Sequence, residues 1–361
     1  MSAIKHVLII ELANSHDECI YSQVLFLIKG NHKVSMLLSS HAFENTKSFH
    51  HLCQHVEKRE LENTFSGHQK QIKEIKSLSK SWGVDTLVFN TAQGSFVRDF
   101  CIFSLFFSKK VLGILHSIKK LDSSFTQKFI SLKIRNYFLL SDILRSKIAK
   151  DKQKHVDVFY PLFFDYSKSL EPFDQDTFNI VLSGGVESRR KDLDGFIELF
   201  KKNEVPSHWN IIFAGKSDPK SEIFLKLDHF VKEHDLSEQF SFYHDFIPTE
   251  TFFEIISTAH VILPLIHPNT PSHDEYMKRQ ISGAFNLAYG FRVPLMIHEK
   301  FSNYEEFIIS AFFYSLETLV DKLKEIDGNR SLLTEKRKSI ETHEMFSFEK
   351  QQKNYLNVIE S

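Results

Sequence analysis

The sequence predicts an α/β protein built as two Rossmann-like, doubly wound halves. Three observations carry this. Short apolar runs of strand length alternate with amphipathic stretches of helix length along most of the chain. The alternation halts at a polar, proline-containing stretch at 167–177 and then restarts. At 361 residues the chain is too long for one typical domain and long enough for two with full cores. The expected division is a first domain at 1–166, a linker at 167–177, a second domain at 178–330, and a charged helical tail at 331–361 that could pack back on the first domain.

In the first half, residues 6–12 form an apolar run short enough for a buried strand, with no small-residue cleavage site after it. The polar loop Ala13-Asn14-Ser15-His16-Asp17-Glu18 follows, then a helical pattern over 21–29 stopped by Gly30-Asn31, and a second strand over 33–38. Ile72, Ile75, Leu78 and Trp82 have helical spacing within the polar stretch 57–82. Strands at 86–89, 111–115 and 137–140 end in Asn90-Thr91, His116 and Ser141. Asn14, His16, Asn90, Thr91 and His116 are thereby expected along the carboxyl edge of one parallel sheet, where such sheets bind ligands. They are candidate ligand-binding residues. His116, Asp17 and Glu18 are the candidate catalytic groups, because imidazole and carboxylate side chains can move protons.

The second half repeats the pattern. Strands are expected at 178–182, 209–213, 240–243, 261–264 and 293–297, and helices at 192–202, 221–234, 249–258 and 284–289. Three phosphate-friendly features fall on its carboxyl edge. Gly184-Gly185 precedes Arg189, Arg190 and Lys191; Gly215 precedes Lys216; and Lys278 and Arg279 precede Ser282-Gly283, where a helix N-terminus would present unpaired N–H groups to an anion. Asp192-Leu193-Asp194 reads as the acidic opening of a helix rather than a metal motif. No Walker loop and no Gly-x-Gly-x-x-Gly fingerprint is present, which disfavours a nucleoside triphosphatase or a nicotinamide oxidoreductase.

Composition excludes other classes. Forty-five Lys and Arg against forty-six Asp and Glu leave no global attraction for nucleic acid. Cys19, Cys53 and Cys101 show neither pairing by count nor metal-ligand spacing, and fit a reducing cytosol. No metal or cofactor site is expected. No stretch is long and apolar enough to span a membrane. Locally, residues 109–154 carry about twelve Lys or Arg against about three Asp, interleaved with Phe125, Phe129, Tyr137 and Phe138. That segment is either a solvated face or a docking site on an anionic membrane.

Five motifs resemble a known family. They are Ser-Gly-Gly-Val-x4-Lys-Asp-Leu-Asp at 183–194, Ile-Ile-Phe-Ala-Gly-Lys at 211–216, Phe-x-His-Asp-Phe-Ile-Pro at 242–248, Ala-His-Val-Ile-Leu-Pro-Leu at 259–265 and Gly-x-Arg-x-Pro at 290–294. Their order is similar to the donor domain of GT-B glycosyltransferases, most of all the group-1, family-4-like enzymes of bacterial polysaccharide assembly. The resemblance implies two Rossmann-like domains facing across a cleft. It also implies metal-independent transfer of a sugar from a nucleotide-diphosphate donor to a glycan or lipid-linked acceptor, with retention. It assigns the donor diphosphate to Arg190 and Lys191 and the nucleotide base to Phe246 and Ile247. Gly184, Gly185, Lys216, Lys278, Arg279, Ser282, Gly283 and Asn286 complete the candidate donor site. One departure stands out: the family's two Glu, eight residues apart before the Gly-x-Pro turn, fall here on Met277 and Phe285. That departure keeps two alternatives in view, a non-catalytic partner subunit and a nucleotide-sugar epimerase. The expected location is cytoplasmic, peripheral on the inner face of the membrane if 109–154 docks there.

Overall fold

The structure, a computed structural model, describes residues 3–153, 155–166, 168 and 172–361, with the backbone alone at Asp122 and Ser123. Lys154 of the basic segment and Ser167, Ser169, Leu170 and Glu171 of the expected linker lie outside the described residues. The chain divides into two compact units: Met1–Asp165 with Arg279–Ile281 and Phe348–Ser361, and Tyr166–Lys278 with Ser282–Ser347.

The first unit contains β1 (His6–Glu11), β2 (Lys33–Leu38), β3 (His55–Lys58), β4 (Thr86–Phe89), β5 (Lys110–Ile114), β6 (Tyr137–Leu139) and β7 (Val156–Val158). These strands pair in the order β3-β2-β1-β4-β5-β6-β7, parallel throughout. The central strands β1 and β4 are buried along their whole length, as the covered faces of a parallel sheet require. The polar stretch at 57–82 divides: its start belongs to β3, an edge strand that needs no apolar run, and its helix is Phe65–Ser81. Tyr137 and Phe138, counted with the basic aromatic segment by sequence, are core residues of β6.

The second unit contains β8 (Phe178–Ser183), β9 (Trp209–Lys216), β10 (Phe240–Tyr243), β11 (Val261–Ile262), β12 (Leu295–His298) and β13 (Ala311–Tyr314). Their order is β10-β9-β8-β11-β12-β13, again parallel. Strand β13 has no counterpart in the sequence reading. Each sheet reverses its winding once, between β1 and β4 in the first and between β8 and β11 in the second. The carboxyl ends of those strand pairs are where open α/β sheets form binding crevices.

The C-terminal stretch divides between the units. Helix Ser331–Thr342 buries Leu333 and Ile340 in the second. Helix Phe348–Glu360 packs on the first, where the Tyr355 ring stacks on Phe138 at 4.8 Å and meets Phe159 edge-on at 5.0 Å. The Tyr355 hydroxyl donates to Gln23 Oε1 at 3.1 Å. Tyr355 is fully buried, so Tyr355→Ala should cost about 3–5 kcal/mol through the cavity it leaves. Urea unfolding of the full chain would show this as a lowered midpoint.

Candidate active site

At the switch point of the first sheet, β1 ends in Glu11, a carboxylate at the tip of an otherwise apolar strand. Glu11 is 1% exposed. Its Oε1 accepts from the Ala13 N–H at 2.7 Å, and its Oε2 accepts from Asn90 Nδ2 at 2.8 Å and the Thr91 hydroxyl at 2.6 Å. Burial outweighs these donors and pushes its carboxyl up to about 7. Asn90 is fully buried as well; it donates a second bond to the His16 carbonyl at 2.8 Å and accepts from Gln23 Nε2 at 2.7 Å.

Asn90 and Thr91, expected from their strand-end position to bind a ligand, therefore have their side chains bonded inward, because Glu11 must be satisfied where water does not reach. His16 adopts a left-handed backbone, φ 69°, and its ring lies on His116 at 3.6 Å and 8° from parallel. The His116 Nε2 is 2.7 Å from the Asn90 carbonyl oxygen. A carbonyl only accepts, so Nε2 carries the proton. Burial, with the His16 charge, lowers the His116 pKa to about 3, which keeps the ring neutral and its Nδ1 lone pair available.

Such a group is a poor general base near neutral pH but a good hydrogen-bond acceptor. His16 goes the other way: burial presses its pKa down, but the Glu18 carboxylate at 3.5 Å, backed by Glu11 and Asp17, leaves it raised. The Glu18 side chain keeps half its surface in solvent, and Asn14 is exposed. Asp17 accepts from Asn45 Nδ2 at 3.0 Å. The edge thus presents His16, His116 and Glu18, supported from beneath by Glu11, Asn90 and Gln23. Sequence reasoning missed Glu11 and Gln23; the lone carboxylate closing an apolar strand was the available signal for the former.

In the second unit the loop after β8 touches the end of β9 through backbone. A Cβ on Gly215 would lie 2.3 Å from the Gly184 carbonyl carbon, and Gly184 itself has φ 84°, so both positions require glycine. Beneath this crossing, Lys191 is 5% exposed and its ammonium donates to the Gly184 and Gly185 carbonyls at 3.1 and 3.0 Å. Burial lowers it to about 8. Lys191, paired with Arg190 by the resemblance, thus differs from it in placement: it is bonded under the loop, while Arg190 is exposed, 3.5 Å from Glu187. Lys216 is exposed at the end of β9.

Backbone and serine bonds join the loop after β11 to the loop after β8: Asp192 N–H to the Leu265 carbonyl at 3.0 Å, Ser272 N–H to the Arg189 carbonyl at 3.1 Å, and the Ser272 hydroxyl to the same carbonyl. Asp192 caps helix Leu193–Lys201 and accepts from His267 Nδ1 at 2.8 Å, while His267 Nε2 meets the Tyr314 hydroxyl at 2.6 Å. These contacts give Asp192 an internal role.

Helix Gly283–Gly290 begins on the carboxyl edge with Ser282 as its cap, and the space beside Gly283 is open. Gly290 is the last helical residue and not a left-handed stop; Arg292, φ 53°, makes that turn. Asn286 is buried, with no hydrogen-bond partner for its Oδ1. Phe285 packs on Phe307 at 4.8 Å and Phe301 at 6.0 Å. That apolar setting leaves no room for the carboxylate the resemblance would place there. The nearby acids are engaged: Asp274 with Lys278 at 2.9 Å, and Glu275 with Arg189 at 3.8 Å. Arg279 counts with the first unit, where its carbonyl accepts from the Ile118 N–H. Phe246 is exposed and Ile247 buried, so of this pair only Phe246 offers a ring face at the surface.

The Glu11 pKa sets a pH dependence. Between about pH 4.5 and 7 the folded chain holds a proton on Glu11 that the unfolded chain has lost, so this contribution is complete below about 4.5 and disappears as pH rises through about 7. The unfolding free energy of the native chain minus that of Glu11→Gln should fall by about 3 kcal/mol across that window. Urea titrations of both proteins at stepped pH would measure it.

No protein-family pattern and no curated protein sequence matches the chain. Solved structures do. A glycosyltransferase from Rickettsia africae superposes with a TM-score of 0.69 at 11% identity, covering 98% of this chain and 97% of its own. HepE from Anabaena, in complex with UDP and glucose, gives 0.69 at 12% identity, covering 98% and 99%. A UDP-GlcNAc 2-epimerase from Neisseria meningitidis bound to UDP-GlcNAc gives 0.60 at 9% identity, covering 98% and 99%. With two parallel, doubly wound sheets and these structural neighbours, the chain has the GT-B fold.

Proposed function

We propose that this protein is a glycosyltransferase that moves a sugar from a nucleoside-diphosphate donor to a hydroxyl of a glycan or lipid-linked acceptor. The observation that carries the reading is the bare backbone crossing of Gly184 and Gly215 at the carboxyl ends of β8 and β9, with Arg190 and Lys216 exposed beside it. A crossing without side chains lets a diphosphate approach main-chain N–H groups, and cations at that point offset the charge that develops as the diphosphate leaves. Lys191 holds the loop from below and adds its charge. The open helix start at Ser282-Gly283 takes the same anion, with Lys278 nearby in sequence, and the unpartnered Asn286 Oδ1 suits a donor hydroxyl. Phe246 offers a face to the nucleotide base. In the first unit, the His116 Nδ1 lone pair accepts from a sugar hydroxyl, and the His16–Glu18 pair places an imidazole and a carboxylate beside it. HepE, which shares this fold, binds UDP and glucose, and this supports a nucleotide-sugar partner.

Epimerization is a second reading, favoured by the epimerase among the structural neighbours and by the acids Asp17 and Glu18 on the first edge. The two readings part in heavy water: an epimerase takes up solvent deuterium into the sugar without any acceptor, and a transferase does not.

The first test is a thermal-shift screen against UDP, GDP, CMP, TDP and ADP sugars. A ligand at about one hundred times its Kd stabilises the folded state by about 2.7 kcal/mol, so one nucleotide should raise the melting temperature. Arg190→Ala and Gly215→Ala should each abolish that rise. No rise with any donor, from folded protein, would overturn the donor reading and leave the non-catalytic partner. His116→Ala should lower turnover while leaving the nucleotide-induced shift intact, checked by radiolabelled sugar transfer.

A further inference from the structure

The first unit carries an apolar projection that neither sheet edge uses. Phe106 is fully exposed, at 102% of its reference surface. Leu105 beside it and Phe103 before it are also exposed, and Phe65, 61% exposed, lies with its ring 5.8 Å from that of Phe103. Two lysines fix this loop. Lys76 donates to the Phe103 carbonyl at 2.5 Å and Lys133 donates to the Phe107 carbonyl, while both ammoniums lie about the Phe107 ring at 5.9 and 6.0 Å. The loop is thus held by cations at its base with its apolar residues pointing out.

Helix Phe65–Ser81 extends the charge. Phe65, Gln69, Lys73, Lys76 and Lys80 recur at spacings of three and four, which puts them on one stripe, and Lys73 and Lys80 are exposed. The helix's one acid, Glu74, lies off that stripe and is 3.7 Å from Arg59. The acid of the neighbouring helix Gly94–Phe103, Asp99, is buried and bonded to His68 at 2.7 Å and Arg98. Aromatic and leucine side chains at a loop tip, rimmed by lysines, with the nearby carboxylates Glu62, Glu74 and Asp99 each beside a cation of their own, match the depth profile of a lipid interface, where rings seat at the headgroup level and each nearby lysine is drawn to anionic lipid.

We infer that the Phe103–Phe107 loop and the lysine stripe of helix Phe65–Ser81 dock the protein on an anionic lipid surface, with Leu105 and Phe106 entering the headgroup region. This surface differs from the segment 109–154 marked by composition. That segment contributes Lys133, but its Tyr137 and Phe138 are core, and Lys110 is bonded to the Val358 carbonyl of the C-terminal helix. The inference does not depend on the sugar-transfer reading.

The test is flotation of the full chain with vesicles of phosphatidylcholine alone and of phosphatidylcholine mixed with phosphatidylglycerol. Binding is expected with the mixed vesicles only and should weaken with salt. Phe106→Ser should lower the partition coefficient about tenfold or more. Lys73→Gln with Lys80→Gln should lower it about thirtyfold, whereas Lys322→Gln with Lys324→Gln on the second unit should not change it. All four lysines and Phe106 lie at the surface, and unchanged circular dichroism will verify folding. Absence of flotation, equal binding to neutral vesicles, or full binding by Phe106→Ser would overturn the inference. So would self-association that Phe106→Ser abolishes, which would make the occupant a second copy of the chain.

Discussion

The buried amide of Asn90 is the junction on which the first edge depends. Its Nδ2 donates to Glu11 and to the His16 carbonyl, its Oδ1 accepts from Gln23, and its own carbonyl accepts from His116. A parallel sheet ends its central strands in the interior, so polar groups at those ends must find partners in one another rather than in water. Satisfying Glu11 fixes Asn90, and fixing Asn90 sets both the turn at His16 and the tautomer of His116. Exposed chemistry is thereby held in place by bonds to the buried side chains of Glu11, Asn90 and Gln23.

The second edge solves the same problem with backbone. Gly184 and Gly215 cross in direct contact, and Lys191 fills the space below with an ammonium bonded to two carbonyls. Side chains are absent where a ligand would approach and present where the loop needs support. The Asp192–His267–Tyr314 chain extends that support across β8 and β11 to β13. Loops bonded in this way can hold hydrogen-bond donors in position before a charged ligand arrives, which is the condition for electrostatic stabilisation without reorganisation.

Apolar surface follows a different logic in the first unit. Phe138 and Phe159 are buried, and their stacked and edge-on contacts with Tyr355 join the sheet to the C-terminal helix. Phe106 is outside, and lysines that would be solvated elsewhere are directed at the carbonyls of its loop. An exposed aromatic on a loop held by such contacts is a presented group.

Strand runs such as Val7-Leu8-Ile9-Ile10, the helix stop at Gly30-Asn31 and the Gly-Gly turn at 184–185 were legible in the sequence because each rests on local preference or on a continuous apolar run. The same local rules placed Asn90, Thr91 and His116 at strand ends and Asp192 at a helix start. They did not show β3 and β13, edge strands whose short runs carry little periodic signal. Nor did they show that Asn90 and Lys191 face inward, that Phe285 stands in an aromatic cluster, or that helices 331–342 and 348–360 belong to different units. Those outcomes rest on partners far apart in the chain: Glu11 with Asn90, Gly184 with Gly215, Phe138 with Tyr355. Local pattern along the chain specifies most of the elements and the chemistry that reaches each sheet edge. Which of those groups are bonded away and which remain available depends on long-range packing, because burial and pairing are properties of the assembled neighbourhood and not of any one segment.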